Sequence, residues 1–187
     1  MGMVIFAVVL VVLVFWVIGA YNGLIALKNR VLNAWKQIDV QLKRRHDLIP
    51  NLIESVKGAM NFERETLEAV ISARNKAIGA QGVAATAKAE GELTQALGRL
   101  FALTEAYPDL KATGNIAQLQ EELTSTENKL AFARQLYNDE ATNYNTKQMQ
   151  FPTNLVAGLA KATPAELWEI EDPAERAVPK VDLGFNR

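Results

Sequence analysis

The residues with the clearest potential for chemistry form one run, Arg45-His46-Asp47, which contains the single histidine of the chain. An imidazole close to a carboxylate is a pair that hydrolases use for general acid–base catalysis. A catalytic triad also needs a nucleophile and a carboxylate ordered against the imidazole, and the surrounding sequence offers neither. A hydrolase that uses these three residues is therefore the weaker hypothesis. The alternative is that His46 and Asp47 hydrogen-bond to another helix.

Composition argues against most other kinds of site. The chain has no cysteine, which excludes disulfides, iron–sulfur clusters and the usual structural zinc sites. One histidine leaves only carboxylates to complete a metal shell, and no glycine-rich phosphate loop or nucleophile elbow occurs. A net charge of -1 gives no overall field that would attract nucleic acid. The sequence thus predicts a protein without catalytic activity, cofactor, metal or nucleic-acid partner.

The basic triplet Lys43-Arg44-Arg45 suggests anionic lipid as a ligand. However, Lys43 lies about 33 Å along a straight helix from Tyr21, which is several Debye lengths from a membrane surface that begins there. We therefore expect the triplet to pair with a partner protein or with acidic residues of an antiparallel helix. The candidate acidic residues are Glu121, Glu122 and Glu127.

The N-terminus has the sequence of a transmembrane helix. No charged side chain occurs from Met1 to Leu27, and the apolar run from Met3 to Ile18 extends through Gly19 and Ala20. About 20 residues suffice to cross a bilayer. Residues 1–20 are thus predicted to be a membrane anchor, with Met3, Phe6, Leu10, Phe15, Trp16 and Ile18 facing lipid. A cleaved signal peptide is the alternative, but its basic leading region is missing.

The first charges after the anchor predict its orientation. Lys28, Arg30 and Lys36 follow it without an intervening acidic residue, and no basic side chain precedes it. The positive-inside rule then places the rest of the chain in the cytoplasm and the N-terminus outside. Tyr21, Lys28 and Arg30 are expected at the membrane interface. The predicted location is the inner (cytoplasmic) membrane, crossed once.

Beyond the anchor, apolar residues recur at alternating spacings of three and four, as on the contact faces of packed helices and coiled coils. The first such face carries Leu24, Leu27, Val31, Trp35, Ile38, Leu42, Ile49, Leu52 and Val56. Arg45 takes one place on this face. A charge there costs stability unless it is paired, and it serves either to set the register of the helices or to contact a partner.

The same spacing predicts the remaining helices. A helix over 21–78 is expected to kink or divide at Pro50 and to stop at Gly79 and Gly82. A second runs from about Ala84 to Ala106, with Gly91 and Gly98 at close helix contacts. A third begins after an N-cap at Asn115 and ends near Met149. Its contact face carries Leu119, Leu123, Leu130 and Tyr137.

No segment reads as a strand. The predicted fold is all-α, with a transmembrane helix continuous with a long antiparallel up-and-down bundle over 21–160 and an extended tail over 161–187. At the end of the third helix, Thr153 or Asn154 is a candidate cap for a short helix that carries Leu155 and Leu159. Together with Phe151, this stretch folds back on the bundle or presents an apolar surface to a partner.

These features come with long runs that resemble the LemA family. One run extends from Ala34-Trp35-Lys36-Gln37 through Arg45-His46-Asp47 to Leu52; the others are Tyr137-Asn138-Asp139, Phe151-Pro152-Thr153-Asn154 and Pro179 to Phe185. The resemblance implies a bacterial, single-pass membrane protein with a long helical bundle and no established catalytic activity. It also implies associations with membrane metalloproteases of the HtpX type and, in some relatives, with membrane invagination.

The leading hypothesis is a non-enzymatic, membrane-anchored helical scaffold. A rod this long has more apolar surface than one antiparallel pair of helices buries, so a homo-oligomer or a membrane-protein partner is expected. An adaptor for an HtpX-type protease and a membrane-shaping oligomer both fit. An anionic-lipid sensor whose rod lies on the bilayer is the further alternative.

Overall fold

The computed structural model describes residues 1–57, 64–106 and 114–169, and all regular secondary structure in these ranges is helical. Helix α1 spans Gly2–Lys57, α2 Arg64–Gly79, α3 Val83–Ala106, α4 Gly114–Met149 and α5 Asn154–Ala157. Residues 162–169 continue beyond α5 without regular structure. The predicted all-α fold, with a long N-terminal apolar helix followed by a helical bundle, is confirmed.

Helices α1 and α4 form the long axis of the molecule. The rings of Trp35 on α1 and Tyr137 on α4 pack edge to face, with their centroids 5.4 Å apart. Ten residues further along α1 and ten residues back along α4, Arg45 and Glu127 form an ion pair. The two helices are thus antiparallel and keep one register. Helices α2 and α3 pack on each other as a second hairpin, which lies against the membrane-distal part of α1.

The core has two apolar parts. The membrane-proximal part lies between α1 and α4 and contains Val31, Ala34, Ile38, Leu42, Leu130, Ala133, Tyr137, Ala141, Tyr144 and Trp168. The distal part is formed by α1, α2, α3 and α4 and contains Ile49, Leu52, Ile53, Val56, Leu67, Val70, Ala77, Ala89, Leu93, Ala96, Leu97, Leu100, Ile116 and Leu123. Between these two parts the buried side chains are charged and polar.

Helix α1, Gly2–Lys57, runs through Pro50, so of the kink or division expected there the division does not occur. Proline has no N–H, which leaves the carbonyl one turn earlier, that of His46, without its helical hydrogen bond. The Nε of Arg74 donates to this carbonyl at 2.7 Å. A side chain of α2 therefore replaces the missing donor, and the helix continues.

Three further expectations about helix ends and glycines have mixed outcomes. Helix α2 ends at Gly79, and Gly82 has φ +84° in the turn before α3, as predicted for stop residues. Helix α4 begins at Gly114, so Asn115 lies inside its first turn and is not the N-cap. Gly91 and Gly98 are exposed, and a Cβ added at either would meet nothing within 4 Å. The close helix contact expected there is wrong.

The first part of α1 projects away from the bundle. The side chains predicted to face lipid, from Met3 to Ile18, are exposed in the structure. Among the described residues, α1 is the one helix that is long and apolar enough to cross a membrane, and its most apolar window is not buried in the protein. An apolar helix that its own protein leaves uncovered fits a bilayer rather than a core.

Replacing Gly91 and Gly98 by alanine is expected to stabilise the bundle. Both lie inside α3 with open space around them, and glycine in a helix interior costs about 0.5–1 kcal/mol relative to alanine. Thermal unfolding of the full chain in detergent, followed by circular dichroism, should show a higher midpoint for each variant. Gly82→Ala is the control and should lower the midpoint, because φ is +84° there. An unchanged or lower midpoint for both α3 variants would contradict the expected gain in helix stability.

Candidate functional site

A buried layer of charged and polar side chains separates the two apolar cores. Helix α1 contributes Arg45 and His46, α3 contributes Glu90 and Thr94, and α4 contributes Glu127. We call these five residues the polar layer. Arg45, His46 and Glu90 are buried among the apolar residues that recur every three or four positions, Glu127 is half-buried, and Thr94 lies at the exposed edge of the layer. The layer therefore holds three helices together at one level of the rod.

Glu90 is the centre of the polar layer, with a side chain that is 0% exposed. Its Oε2 accepts a hydrogen bond from Arg45 Nη1 at 2.8 Å. His46 Nε2 lies 2.7 Å from its Oε1, and since a carboxylate only accepts, this nitrogen carries the donated hydrogen. Both oxygens of the buried carboxylate are thus paired, each by a side chain of α1.

Arg45 has two more partners. Its Nη2 donates to Thr94 Oγ1 at 2.8 Å and lies 3.2 Å from Glu127 Oε2. The guanidinium therefore faces two carboxylates and a hydroxyl, which compensates for its removal from water. A slip of α3 by one turn, about 5.4 Å, would place Glu90 against apolar side chains without a partner. The polar layer consequently selects one register for α1, α3 and α4.

A chain of contacts connects the polar layer to the end of the described chain. Arg134 Nη1 donates to Glu127 Oε1 at 3.3 Å, and its guanidinium lies 4.8 Å from the centre of the Trp168 ring. Burial lowers the pKa of Arg134, and the neighbouring Glu127 carboxylate opposes this shift. A cation between a carboxylate and an aromatic face is attracted by both. Arg134 thus connects the polar layer to Trp168.

Residues 162–169, which we call the C-terminal strap, are bound to α4 by two asparagines. Asn138 accepts from the Trp168 N–H at 2.8 Å and donates to the Trp168 carbonyl at 3.0 Å. Asn145 makes the same pair of bonds with Ala165, at 2.7 and 2.8 Å. Seven helical residues rise about 10.5 Å and three extended residues span about 10 Å. The spacing of the two amides therefore matches the spacing of the two backbone units.

Aromatic packing completes the attachment of the strap. Trp168 is buried with its ring centre 6.0 Å from that of Trp35, and Tyr137 donates from its hydroxyl to the Glu166 carbonyl at 2.7 Å. Sequence reasoning missed both Trp168 and the role of the asparagines. A signal was present, because Tyr137-Asn138 recurs seven residues later as Tyr144-Asn145. This repeat places both Tyr-Asn pairs on one face of α4.

The structure separates the run Arg45-His46-Asp47. Arg45 and His46 are buried, whereas Asp47 is exposed, and the carboxylate that contacts the imidazole is that of Glu90. The predicted pairing of the triplet with α4 holds for Arg45 and Glu127, while Lys43 and Arg44 are exposed. Glu90 was missed, although its place among Leu93, Leu97 and Leu100 marks a charge on an apolar face. In the described ranges no cluster of three metal-binding side chains occurs.

The other predicted residues lie as follows. On the contact faces, Leu24, Val31, Ile38, Leu42, Leu123, Leu130 and Tyr137 are buried, and Leu27, Trp35 and Leu119 are half-buried. Tyr21, Lys28 and Arg30 are exposed at the beginning of the rod. Phe151 and Asn154 are exposed, and Thr153 precedes α5 without a capping hydrogen bond from its side chain, so the predicted cap is wrong.

Comparison with known proteins identifies the family. A family model described as "LemA family" matches residues 34–183, a range that includes the polar layer and the strap. The chain belongs to the LemA family. Its relatives include Protein LemA of Metamycoplasma hominis, 32% identical over 142 residues, a match that covers 75% of this chain and 64% of that protein.

Magnetosome protein MamQ 2 of Paramagnetospirillum magneticum is a more distant relative of this LemA chain. It is 24% identical over 180 residues, which cover 82% of this chain and 66% of the relative. This LemA chain therefore spans just under two thirds of the length of these two relatives. Together with the exposed apolar part of α1, these relationships identify a membrane-associated protein.

Removing the Glu90 carboxylate is expected to destabilise the bundle strongly. Glu90→Ala leaves Arg45 and His46 buried without their main partner, a change that typically costs about 3–5 kcal/mol. Glu92→Ala, two residues away, removes a surface pair with Lys76 and should cost at most about 1 kcal/mol. The combined variant Arg45→Met, His46→Leu, Glu90→Leu should recover most of the loss. Equal thermal unfolding midpoints for Glu90→Ala and Glu92→Ala would contradict a role for the layer in stability.

The tyrosines of α4 predict a loss of stability in alkali. Burial raises the pKa of Tyr137 and of Tyr144 above the ordinary 10.0, with Glu166 adding to the shift of Tyr137. Above about pH 10 the unfolded chain releases these protons while the folded chain keeps them, so folding stability is complete below that pH and falls above it.

Tyr137→Phe and Tyr144→Phe should each reduce this loss, measured as the difference in unfolding midpoint between neutral pH and about pH 11. Tyr21→Phe, outside the bundle, is the control for removing a tyrosine. Tyr137→Phe should also lower stability at neutral pH by about 1 kcal/mol, because it loses the hydrogen bond to the strap. If both α4 variants kept the full alkaline loss, the buried phenols would not be its source.

Proposed function

We propose that this chain is a non-enzymatic, membrane-anchored helical scaffold that holds a helix of another membrane protein against its rod. The observation that carries the proposal is a groove of about 500 Å³ between α1 and α4. Its lining includes Lys36, Gln37, Val40, Lys129, Phe132 and Leu136. We call it the Phe132 groove.

The Phe132 groove is apolar and uncovered in the described structure. Phe132 is 73% exposed and Val40 62%, and the C-terminal strap covers other side chains of the same two helices. Burying one such side chain is worth about 1.5–3 kcal/mol, so a rod that leaves several exposed along one groove has a surface suited to a further helix. A groove between two antiparallel helices also matches the shape of a helix, in the manner of helix-in-groove recognition.

Charge supports a partner other than a second copy. The lysines Lys36 and Lys129 line the groove, and no acidic side chain does. A partner helix with an apolar stripe and acidic flanks would complement it, whereas a symmetric pair of copies would bring lysines against lysines. An HtpX-type membrane protease remains a predicted partner of this kind, and the predicted homo-oligomer is a competing outcome of the test below.

The position of the groove suits a membrane protein. Val40 lies about 28 Å along α1 from Tyr21, which is expected at the membrane interface. At this height the groove would face a helix that emerges from the same membrane. The interior of the rod supports a scaffold over an enzyme, because the polar layer pairs its buried charges with one another. His46, the imidazole on which a hydrolase would depend, contacts Glu90 through Nε2.

Photo-crosslinking in membranes tests the proposal. A photoreactive phenylalanine analogue at position 132 of the full chain should form an adduct with a different protein on irradiation. The same analogue at Ile78, which is exposed on α2, is the matched control and should form little. Charge reversal by Lys36→Glu with Lys129→Glu should reduce the adduct several-fold.

The outcomes separate the alternatives. An adduct made only of two copies of this chain would replace the proposal with a homo-oligomer, consistent with a membrane-shaping assembly. No adduct, or an equal yield from positions 132 and 78, would refute the groove as a docking site. A loss of adduct on charge reversal, with unchanged circular dichroism, would support an acidic partner surface.

A further inference from the structure

The segment from the end of α4 through α5 to Leu159 has an unusual outer face. Phe151 is 80% exposed, Leu159 71% and Leu155 67%, and Met149 precedes them at 68%. We call these four residues the apolar turn. Between them, Thr153, Val156 and Ala160 are buried. Gln150 and Asn154 are exposed as well, but the largest exposed side chains of the segment are apolar, which is unusual for a surface in contact with water.

The register of α1 and α4 locates the apolar turn. Trp35 faces Tyr137 and Arg45 faces Glu127, so the same antiparallel step places Met149 opposite Gly23. Helix α5 lies beyond Met149 in the chain and also contacts α1. The turn is thus at the end of the rod where the charge-free part of α1 begins.

The exposure of α1 agrees with this location. Val17 and Ala20 are partly covered and Leu24 is buried, whereas the residues from Met1 to Trp16 are exposed. These three lie on one face of the helix, at spacings of three and four. One face of α1 is therefore covered by the rest of the protein as far as Val17, near the end of the predicted membrane span, and not beyond it.

Charge at this end of the rod has a single sign. Residues 1–38 contain Lys28, Arg30 and Lys36 and no acidic residue. Residues 141–165, which include the apolar turn, contain Lys147 and Lys161 and no acidic residue. Exposed cations around an apolar surface are the pattern of a segment that sits among anionic lipid headgroups.

We propose that the apolar turn is a second membrane contact, which lies in the headgroup region of the bilayer that α1 crosses. Lipid is favoured over a protein as the occupant because the turn packs on the same helix that enters the bilayer. A membrane that surrounds the exposed side chains up to Ile18 necessarily comes within reach of a turn opposite Gly23. Lys147 and Lys161 would then face lipid phosphates while the apolar side chains enter the acyl boundary.

A second membrane contact would fix the orientation of the rod relative to the bilayer. One helix crossing a bilayer leaves the bundle free to tilt and to rotate about the helix axis. A second contact on one side of that helix restricts both motions and presents the rest of the rod in one orientation. This inference depends on membrane anchoring and is independent of whether the Phe132 groove binds a partner.

Spin labels can measure the depth of the turn, because the chain has no native cysteine. We would label Leu155→Cys and Leu159→Cys in the full chain, reconstituted in vesicles of phosphatidylcholine with a minor fraction of phosphatidylglycerol. Ile18→Cys in the span is the lipid reference, and Ile78→Cys on α2 is the water reference. All four sites are exposed, so labelling should leave the fold intact, as checked by circular dichroism.

Collision with oxygen, which concentrates in lipid, and with a nickel complex, which stays in water, reports the depth. The labels at positions 155 and 159 should show an oxygen-to-nickel ratio several-fold above that at position 78 and approaching that at position 18. In the Lys147→Gln, Lys161→Gln background the ratio should fall toward the position 78 value.

Two results would overturn the proposal. If positions 155 and 159 collided with nickel as freely as position 78, the turn would be in water. If they were shielded from both reagents, or broadened by a neighbouring spin label, the occupant would be a protein and not lipid. Neither result depends on crosslinking at Phe132, so a failure here is distinguishable from a failure of the proposed scaffold function.

Discussion

The buried carboxylate of Glu90 is the constraint on which the arrangement of the bundle depends. A carboxylate with no exposed surface is tolerated only when both oxygens have strong partners, and here Arg45 and His46 supply them. These partners are neighbours on α1, so they fix both the height and the rotation of α3 against it. Arg45 extends the same constraint to α4 through Glu127. Apolar contacts alone would allow helices to slide by a turn at modest cost, whereas this layer does not.

The apolar contact faces of the helices are covered in different ways in the two halves of the rod. In the distal half, four helices surround the apolar core, so each contact face is covered by another helix. In the membrane-proximal half the core lies mainly between α1 and α4, with Val83 and Ala87 of α3 packed against it, and part of each contact face stays open. The C-terminal strap covers this surface, with Trp168 packed on Trp35 and the backbone held by Asn138 and Asn145. Asparagine suits this task because its side chain has the same donor and acceptor as a peptide unit.

The outer surface is differentiated along the rod. The membrane end is apolar and cationic, the middle carries the Phe132 groove, and the interior charges of the polar layer are paired with each other. The paired charges of the interior thus serve stability, and the exposed apolar surfaces are consistent with the proposed scaffold. This distribution also explains why the one histidine, a natural focus for a catalytic hypothesis, is part of the packing. Membership of the LemA family and the relationship to a magnetosome protein agree with a membrane setting.

The sequence by itself determined the features that depend on neighbours within a few helical turns. These are the apolar N-terminal helix, the helical periodicity, and the ends of α2 at Gly79 and α4 at Met149. The position of Arg45, a charge on an apolar contact face, was also evident from the sequence. Only the tertiary structure decided which residues that are distant in sequence contact one another. Glu90 lies 45 residues from Arg45, and Arg74 lies 28 residues from the His46 carbonyl that lets α1 pass Pro50. The strap needed Trp168 placed 30 residues beyond Asn138. Local spacing reveals that a buried charge or a freed carbonyl needs a partner, but the partner is chosen by how the helices pack.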